Sequence, residues 1–329
     1  MLAMSWLRLP IAFIAGLAFA ALLALAAFSS VVEAYQDDAA KEPAHADGEQ
    51  TDAAATEATT PEEGTVTIEQ HAWSTYHWAR QSNPVTLELG NNVNNTWKSY
   101  LDAASNAWST PPDSTWPDII ETTVVADGTT SDPKKCTPTM GRVEVCNARY
   151  GQNGWLGVAQ ISIDSSGHIV RGTAKMNDTY FNMTKYNNIE WRSHVMCQEV
   201  GHTFALGHQD TSGKDFHTCM DYASSPAGDH RVPNAHAYQQ LGEIYSNHMD
   251  NNTTTKPTAS ATKVHPNDRA AWGKLKFKSP NNHTEIYERE FNNGEKLVTF
   301  VELVDPEDQS GGQQKKQEKS QDQPQEEEQ

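Results

Sequence analysis

Positive charge is scarce in this chain of 329 residues, because 25 lysines and arginines stand against 43 aspartates and glutamates, for a net charge of −18. A protein so poor in cations is badly suited to neutralise phosphates, so we expect no nucleic-acid partner. Most of the charge lies near the ends: residues 35–64 carry −8 and residues 305–329 carry −5. The remaining −5 indicates little about a substrate.

Long apolar runs are also lacking, with one exception near the N-terminus. Residues 9–28 are almost entirely apolar and follow a single basic residue, Arg8. A small-residue pattern ending at Ala34 resembles a signal-peptidase site, which predicts a signal peptide over residues 1–34. The run reaches the length of about 20 residues that spans a bilayer, so a retained anchor and membrane tether is the alternative. In either case we expect a secreted or extracellular-surface protein.

Large apolar side chains are nearly absent from residues 35–64, which are predicted to form an acidic disordered linker. Residues 305–329 are rich in Gln, Glu and Lys and are predicted to be a disordered acidic tail. The main domain is expected over residues 65–250. A second linker over residues 251–266 then leads to three short strand patterns, interpreted as a small C-terminal β appendage at residues 267–304. A meander packed on the main domain is the alternative.

The main domain mixes strand and helix patterns, which indicates the α+β class. Strands are predicted at residues 85–89, 118–125, 141–146, 156–163 and 168–176, and helices at residues 94–108, 187–204 and 235–248. The strand at 168–176 alternates polar and apolar residues and is interpreted as an edge that could hold an extended peptide. Asn187, with Glu190 three residues later, is the predicted N-cap of the second helix.

Chemistry is concentrated in the stretch from Cys197 to His208. Residues four apart lie on one face of a helix, so Gln198 and His202 can point at one ion while Glu199 reaches a water bound to it. A third ligand has to come from beyond the helix. His208, six residues after His202, is placed where a chain turning back returns a side chain to the same point.

This stretch resembles the metzincin motif His-Glu-x-x-His-x-x-Gly-x-x-His, and Cys219-Met-Asp-Tyr222 resembles the Met-turn of that family. The resemblance implies a metzincin-like catalytic domain: a mixed twisted sheet, an active-site helix and a Met-turn. It also implies residue roles: Zn²⁺ held by Gln198, His202 and His208, Glu199 as general base, Tyr222 as an oxyanion donor, and Met220 as a packing floor. Asp210 is expected either to support the loop that carries His208 or to be a solvated carboxylate.

The chain departs from the motif at two positions. Gln198 stands where the family has its first histidine, and its amide oxygen is a weaker donor than imidazole. His194 cannot replace it, because eight residues along a helix separate His194 from His202 by about 12 Å. Ala205 stands where the family has a glycine, so the turn after the helix could be displaced to Gly207.

The four cysteines allow three disulfide pairings, and disulfides are expected in an exported protein. We favour Cys136 with Cys146, which closes a short loop, and Cys197 with Cys219, which ties the metal-binding helix to the Met-turn beneath it. Free buried thiols are the alternative.

The predicted function is that of an exported zinc metalloendopeptidase, expected to be a monomer, that hydrolyses protein or peptide substrates. One alternative is a pseudoprotease, a binding module at the cell surface that keeps the cleft but not the metal. Another is a structural surface protein in which the acidic tails and the β appendage carry the function.

Overall fold

Nine strands and four α-helices form the secondary structure of the described residues. The strands are β1 (His77–Trp78), β2 (Val85–Asn92), β3 (Ile120–Val125), β4 (Val143–Ala148), β5 (Trp155–Ile163), β6 (His168–Asn177), β7 (Lys274–Lys278), β8 (Thr284–Glu290) and β9 (Lys296–Leu303). The helices are α1 (Lys98–Ser109), α2 (Asp178–Phe181), α3 (Ile189–His202) and α4 (Ala235–Tyr245).

The structure is a computed structural model, and it describes residues 72–73, 75–126, 132–209, 214–222, 225–245, 249–250 and 267–308. The predicted signal peptide or anchor, both linkers, Asp210 and all but the start of the acidic tail lie outside these residues. Within the described part, no helix is both long and apolar enough to cross a membrane.

The strands pair into one mixed sheet in the order β3-β2-β4-β6-β5-β9-β8-β7, and β1 pairs with β6 outside this path. From β3 to β6 the neighbours are parallel, and from β6 to β7 they are antiparallel. The prediction of an α+β protein with a mixed twisted sheet is therefore confirmed at this level.

The prediction of an edge strand at residues 168–176 is wrong. Strand β6 lies inside the sheet between β4 and β5. Its polar side chains Arg171, Thr173 and Lys175 are buried, so the polar alternation does not mark a solvent-facing side. Lys175 is fully buried and donates a hydrogen bond from Nζ to Asn267 Oδ1 at 3.1 Å, which provides a polar partner for the amine.

The C-terminal strands form as predicted, but they do not stand apart as an appendage. Strand β9 pairs with β5 along its whole length, and β8 and β7 follow it in the same sheet. Gln160 Nε2 donates to Thr299 Oγ1 at 3.0 Å across this pairing. Trp155 and Val158 of β5 also share a buried apolar cluster with Trp272 and Val301. Burial of both faces explains why these strands join the main sheet.

Helix α3 carries the candidate chemistry and begins one residue later than predicted. Its N-cap is Asn188, whose side chain accepts a hydrogen bond from the Trp191 backbone N–H at 2.9 Å. Every residue from Trp191 to His202 is buried. The helix is therefore enclosed by protein on all sides, which places residues 198, 199 and 202 in the interior rather than in an open cleft.

Candidate functional site

Helix α3 and the predicted Met-turn, residues 219–222, are joined covalently. Cys197 forms a disulfide with Cys219, and Cys136 forms one with Cys146, so both predicted pairings are confirmed. Met220 packs beneath α3, because a Cβ atom added to Gly201 would lie only 2.8 Å from Met220 Sδ. The helix and the turn therefore approach too closely to admit even a methyl group.

Gln198 bridges the helix to the same turn. Its Nε2 donates hydrogen bonds to the backbone oxygens of Cys219 at 3.1 Å and of Asp221 at 3.0 Å. These two acceptors fix the amide orientation, because a flipped amide would set its oxygen against two carbonyl oxygens. The remaining atom, Oε1, is buried and has no hydrogen-bond partner among the described residues. A buried amide oxygen in this condition is available to a cation.

His194 lies one turn before Gln198 and faces the same amide. Its Nδ1 donates to the His230 backbone oxygen at 2.9 Å, which leaves Nε2 as an acceptor 3.5 Å from Gln198 Nε2. Burial lowers the pKa of His194 to about 4, so the ring is neutral and can accept. His194 therefore helps to orient the Gln198 amide and is not placed as a metal ligand.

His202 and His208 are brought together by the turn after α3. Their ring centroids are 4.8 Å apart, close to the roughly 5 Å expected for two imidazoles on one tetrahedral ion. His202 Nδ1 donates to the Leu206 backbone oxygen at 2.8 Å, which leaves the lone pair on Nε2. Burial lowers the His202 pKa to about 4, so the ring is neutral. Histidines that bind a metal through Nε2 usually donate a hydrogen bond from Nδ1–H to a carbonyl or carboxylate oxygen, as His202 does here.

The turn itself forms at Ala205, which adopts a left-handed φ of 72°. The turn is therefore not displaced to Gly207. The Ala205 backbone oxygen accepts from the Trp73 N–H at 2.9 Å, and Ala72 pairs with Leu206, so the residues before β1 hold this strained turn in place.

Glu199 is fully buried against β5, where its carboxyl group occupies the space that a side chain at Gly157 would fill. Burial raises the pKa of Glu199 well above its ordinary value, and the nearby carboxyl of Glu302 raises it further. The Ala159 backbone opposes this rise, although neither Glu199 oxygen makes a hydrogen bond of ordinary geometry with a described residue. Burial likewise raises the pKa of Glu302. The site therefore holds two buried carboxyl groups that lack a nearby cation in the described protein.

Tyr222 lies over His208. The two rings stack at 4.2 Å with an angle of 4° between their planes, and the Tyr222 ring is 6.1 Å from that of Phe277 in β7. Its backbone oxygen accepts from Asn281 Nδ2 at 3.1 Å. The Met-turn tyrosine is thus beside a predicted ligand and is held there by the C-terminal strands.

The C-terminal strands also cover the helix side of the site. The Phe300 ring of β9 stacks on His202 with centroids 4.4 Å apart and 5° between the planes. The exposed fractions are 0% for Gln198 and Glu199, 1% for His202 and 4% for His208. A peptide cannot reach these groups in this conformation.

Sequence reasoning did not find Phe300 or Glu302, although both belong to one of the three predicted C-terminal strands. The alternation of large apolar residues in β9 indicates a buried face, but it carries no information about which strand lies beside it. Asp210 lies outside the described residues, so its place near His208 stays a prediction.

Comparison with protein-family models, with curated proteins and with solved structures finds no match to this chain.

Proposed function

We propose that this protein is a zinc-dependent peptidase of metzincin-like construction, in which Gln198 replaces the first histidine ligand. The observation that carries the proposal is the fixed amide of Gln198. Its N–H groups are engaged by two carbonyl oxygens, and its unpaired Oε1 lies on the same helix as His202. A buried amide oxygen without a hydrogen-bond partner among the described residues can serve as a ligand to a cation.

The donor set fits a zinc ion, which takes nitrogen and oxygen ligands in fours. Gln198 Oε1, His202 Nε2 and a ring nitrogen of His208 would hold it, leaving one position open. Burial raises the pKa of both Glu199 and Glu302, and a cation there would favour their charged forms. The bound ion supplies Lewis acidity and lowers the pKa of a bound water.

The residues of this chain supply the remaining chemistry. The Glu199 carboxylate accepts a proton from the attacking water and passes it to the leaving amine. Its contact with Gly157 keeps the carboxyl group from rotating away from the helix. The Tyr222 hydroxyl donates to the oxyanion, in the role that the family resemblance implies. Phe300 and the strands around it exclude water until substrate enters.

Substrate entry requires the C-terminal strands to move, because Phe300 lies on His202 and Asn281 holds the Met-turn. The conformation described here is therefore the closed form of the proposed enzyme. Partial opening of β9 from β5 exposes an unpaired strand edge beside Glu199, where an extended peptide can pair. This edge, rather than β6, is the proposed substrate-binding strand.

The test uses the full exported chain. Zinc content is measured in the wild type and in His202→Ala, with His236→Ala, an exposed histidine on α4, as the matched control. Hydrolysis of a quenched fluorescent peptide library is followed with and without a low urea concentration that favours local opening. We expect Glu199→Gln to keep its zinc content and lose hydrolysis, whereas His202→Ala lowers the zinc content by the ion of this site and also loses hydrolysis. Zinc content unchanged by His202→Ala would refute the proposal.

A second candidate function is a closed binding module without catalysis, and the burial of the site favours it. In that case the Gln198 amide serves only to fix the Met-turn. This candidate predicts that the wild type hydrolyses no peptide even in urea. It also predicts that Glu199→Gln changes neither zinc binding nor any zinc-dependent part of the stability.

A further inference from the structure

Three metal-ligating side chains from distant parts of the chain meet outside the candidate active site. They are His77 in β1, His168 at the start of β6, and Asp250 beyond α4. His77 Nε2 lies 3.4 Å from Asp250 Oδ2, and His168 Nε2 lies 3.3 Å from Asp250 Oδ1. The imidazole rings are perpendicular, with centroids 5.0 Å apart.

Both imidazoles turn the same nitrogen toward the carboxylate. His77 Nδ1 donates to the Thr75 backbone oxygen at 2.8 Å, so Nε2 carries the lone pair of the neutral ring. His168 Nδ1 lies 3.9 Å from the Asp164 carboxylate, and its Nε2 faces Asp250. An acceptor on Nδ1 with Nε2 directed inward, as at His77, is the usual arrangement of a histidine that binds a metal. His168 shares the inward Nε2, whereas its Nδ1 has no hydrogen-bond partner among the described residues.

The carboxylate of Asp250 is held in position for both rings. Asp250 Oδ2 accepts from the Arg80 backbone N–H at 2.6 Å, and the Asp250 N–H donates to the Arg80 oxygen at 2.7 Å. The side chains of His77, His168 and Asp250 are 11% to 13% exposed. They are thus ordered by the protein but still reachable by an ion.

Two other groups of possible ligands do not meet these conditions. In Asp215, His217 and His230, both ring nitrogens of His230 are engaged: Nδ1 accepts from the Ala227 N–H, and Nε2 bonds Asp215 at 2.8 Å. No lone pair of His230 remains for a metal.

The second rejected group is acidic and already has its cation. Asp305, Glu307 and Asp308 surround the ammonium group of Lys185, which forms ion pairs with all three. Their convergence is explained by Lys185, and no further ion is required.

We propose that His77, His168 and Asp250 bind a divalent transition metal of the zinc class, separate from the candidate active site. Ligand atoms bonded at about 2.0–2.1 Å to a tetrahedral ion are about 3.3–3.4 Å apart, and each imidazole Nε2 lies at that distance from one oxygen of Asp250. One ligand atom from each of the three residues lies within 4.8 Å of the other two. Two imidazoles and a carboxylate favour zinc over calcium or magnesium, which prefer oxygen ligands alone.

This second metal stabilises the segment that supports the active-site turn. Trp78, next to His77, donates from Nε1 to the Thr203 oxygen at 2.8 Å and from its backbone N–H to Tyr245 Oη at 3.2 Å. Tyr245 Oη in turn donates to the Phe204 oxygen at 3.1 Å. Holding β1 therefore holds the residues between His202 and His208. The proposal does not depend on the proposed peptidase activity.

The experiment measures zinc in full-length exported protein that has been treated with chelator and then dialysed against zinc. It uses the His202→Ala background, so that zinc at the candidate active site does not contribute. We expect about one zinc per chain and a zinc-dependent rise in Tm. Adding His168→Gln should weaken zinc binding at least tenfold and abolish the rise in Tm. Adding His217→Gln, in the rejected cluster, should change neither.

Asp250→Asn provides a second variant, because its amide oxygen can still accept from the Arg80 N–H while the charge is lost. Circular dichroism identifies any variant that does not fold. If the double variant does not fold, zinc is measured instead in the single variant His168→Gln, where we expect a fall from two zinc ions per chain to one. Zinc binding and a zinc-dependent Tm that survive both His168→Gln and Asp250→Asn would overturn the proposal. So would a His202→Ala protein that binds no zinc, since the cluster would then hold only protons.

Discussion

The side-chain amide of Gln198 donates a hydrogen bond to the backbone oxygen of Asp221 at 3.0 Å, so helix α3 is attached directly to the predicted Met-turn. A second hydrogen bond from the same nitrogen reaches Cys219, the residue disulfide-bonded to Cys197. Gln198, the residue that departs from the metzincin motif, is therefore held to the turn beneath it by two hydrogen bonds.

Replacing Gln198 by histidine should tighten zinc binding at least tenfold, because imidazole is a better donor than an amide oxygen. An imidazole N–H can also keep one of the two carbonyl contacts. The measurement is a competitive zinc titration against a chromophoric chelator. Gln198→Glu is the matched control for shape: it cannot donate to the two carbonyl oxygens, and we expect the metal-free variant to lose about 1–3 kcal/mol of unfolding free energy. Equal zinc affinity in wild type and Gln198→His would contradict this account.

Ala205→Gly should stabilise the protein by about 1 kcal/mol, because alanine pays for a left-handed φ that glycine adopts freely. Gly167→Ala is the converse control: φ there is 91° and no atom lies within 4 Å of an added Cβ, so strain alone should destabilise by a similar amount. Urea unfolding monitored by tryptophan fluorescence measures both. A destabilised Ala205→Gly protein would show that the turn is not strained by its side chain.

Gly201→Ala should destabilise by about 1–3 kcal/mol even though alanine favours helix, because its methyl group would meet Trp108 at 2.5 Å and Met220 at 2.8 Å. Gly242→Ala is the matched helical control. An added Cβ there meets Pro117 at 3.4 Å, so the gain in helix propensity should dominate and stabilise by a few tenths to about 1 kcal/mol. Thermal unfolding of the pair distinguishes packing from propensity. Similar shifts in both variants would rule out close contact at the Met-turn.

Glu302→Gln should stabilise the metal-free protein increasingly as pH rises. Burial raises the pKa of Glu302 in the folded state, so the folded protein retains a proton that the unfolded chain releases above about pH 4.5. The wild type therefore loses stability as pH climbs from 4.5 toward the folded pKa, and a neutral amide does not. Tm measured with chelator from pH 5 to 8.5 should show a gap between the proteins that widens with pH. A constant gap would mean that Glu302 does not titrate with folding.

The residues of the candidate site could be found from sequence because their spacing is local. Gln198, Glu199 and His202 share a helix, and His208 and Met220 follow at short distances. The third strand pattern of the C-terminus, which forms β9, could also be predicted from the sequence. Its partner could not, because a period of two residues is the same for an edge strand and for an interior one. The Gln160 to Thr299 bond joins residues 139 apart, and no local pattern encodes such a pairing.

The same limit explains the error about β6, and it explains why the sequence could not decide between a C-terminal appendage and strands packed on the main domain. Lys175 and Arg171 indicated a solvent-facing strand, yet both are buried, and the polar partner of Lys175 is Asn267, far along the chain. The cluster of His77, His168 and Asp250 was missed for a related reason. Its members are single residues in unremarkable segments, and only the parallel pairing of β1 with β6 brings two of them together.

The late position of β9 in the chain gives the site an order of assembly. A chain that is synthesised from its N-terminus presents β5, α3 and residues 219–222 before residues 296–303 are made. During that interval β9 does not yet cover Gln198, His202 and His208, and pairing of β9 with β5 then places Phe300 over His202. In the proposed enzyme, metal uptake would therefore be a step of folding that precedes the pairing of β9, and a chain folded without the ion would acquire it slowly.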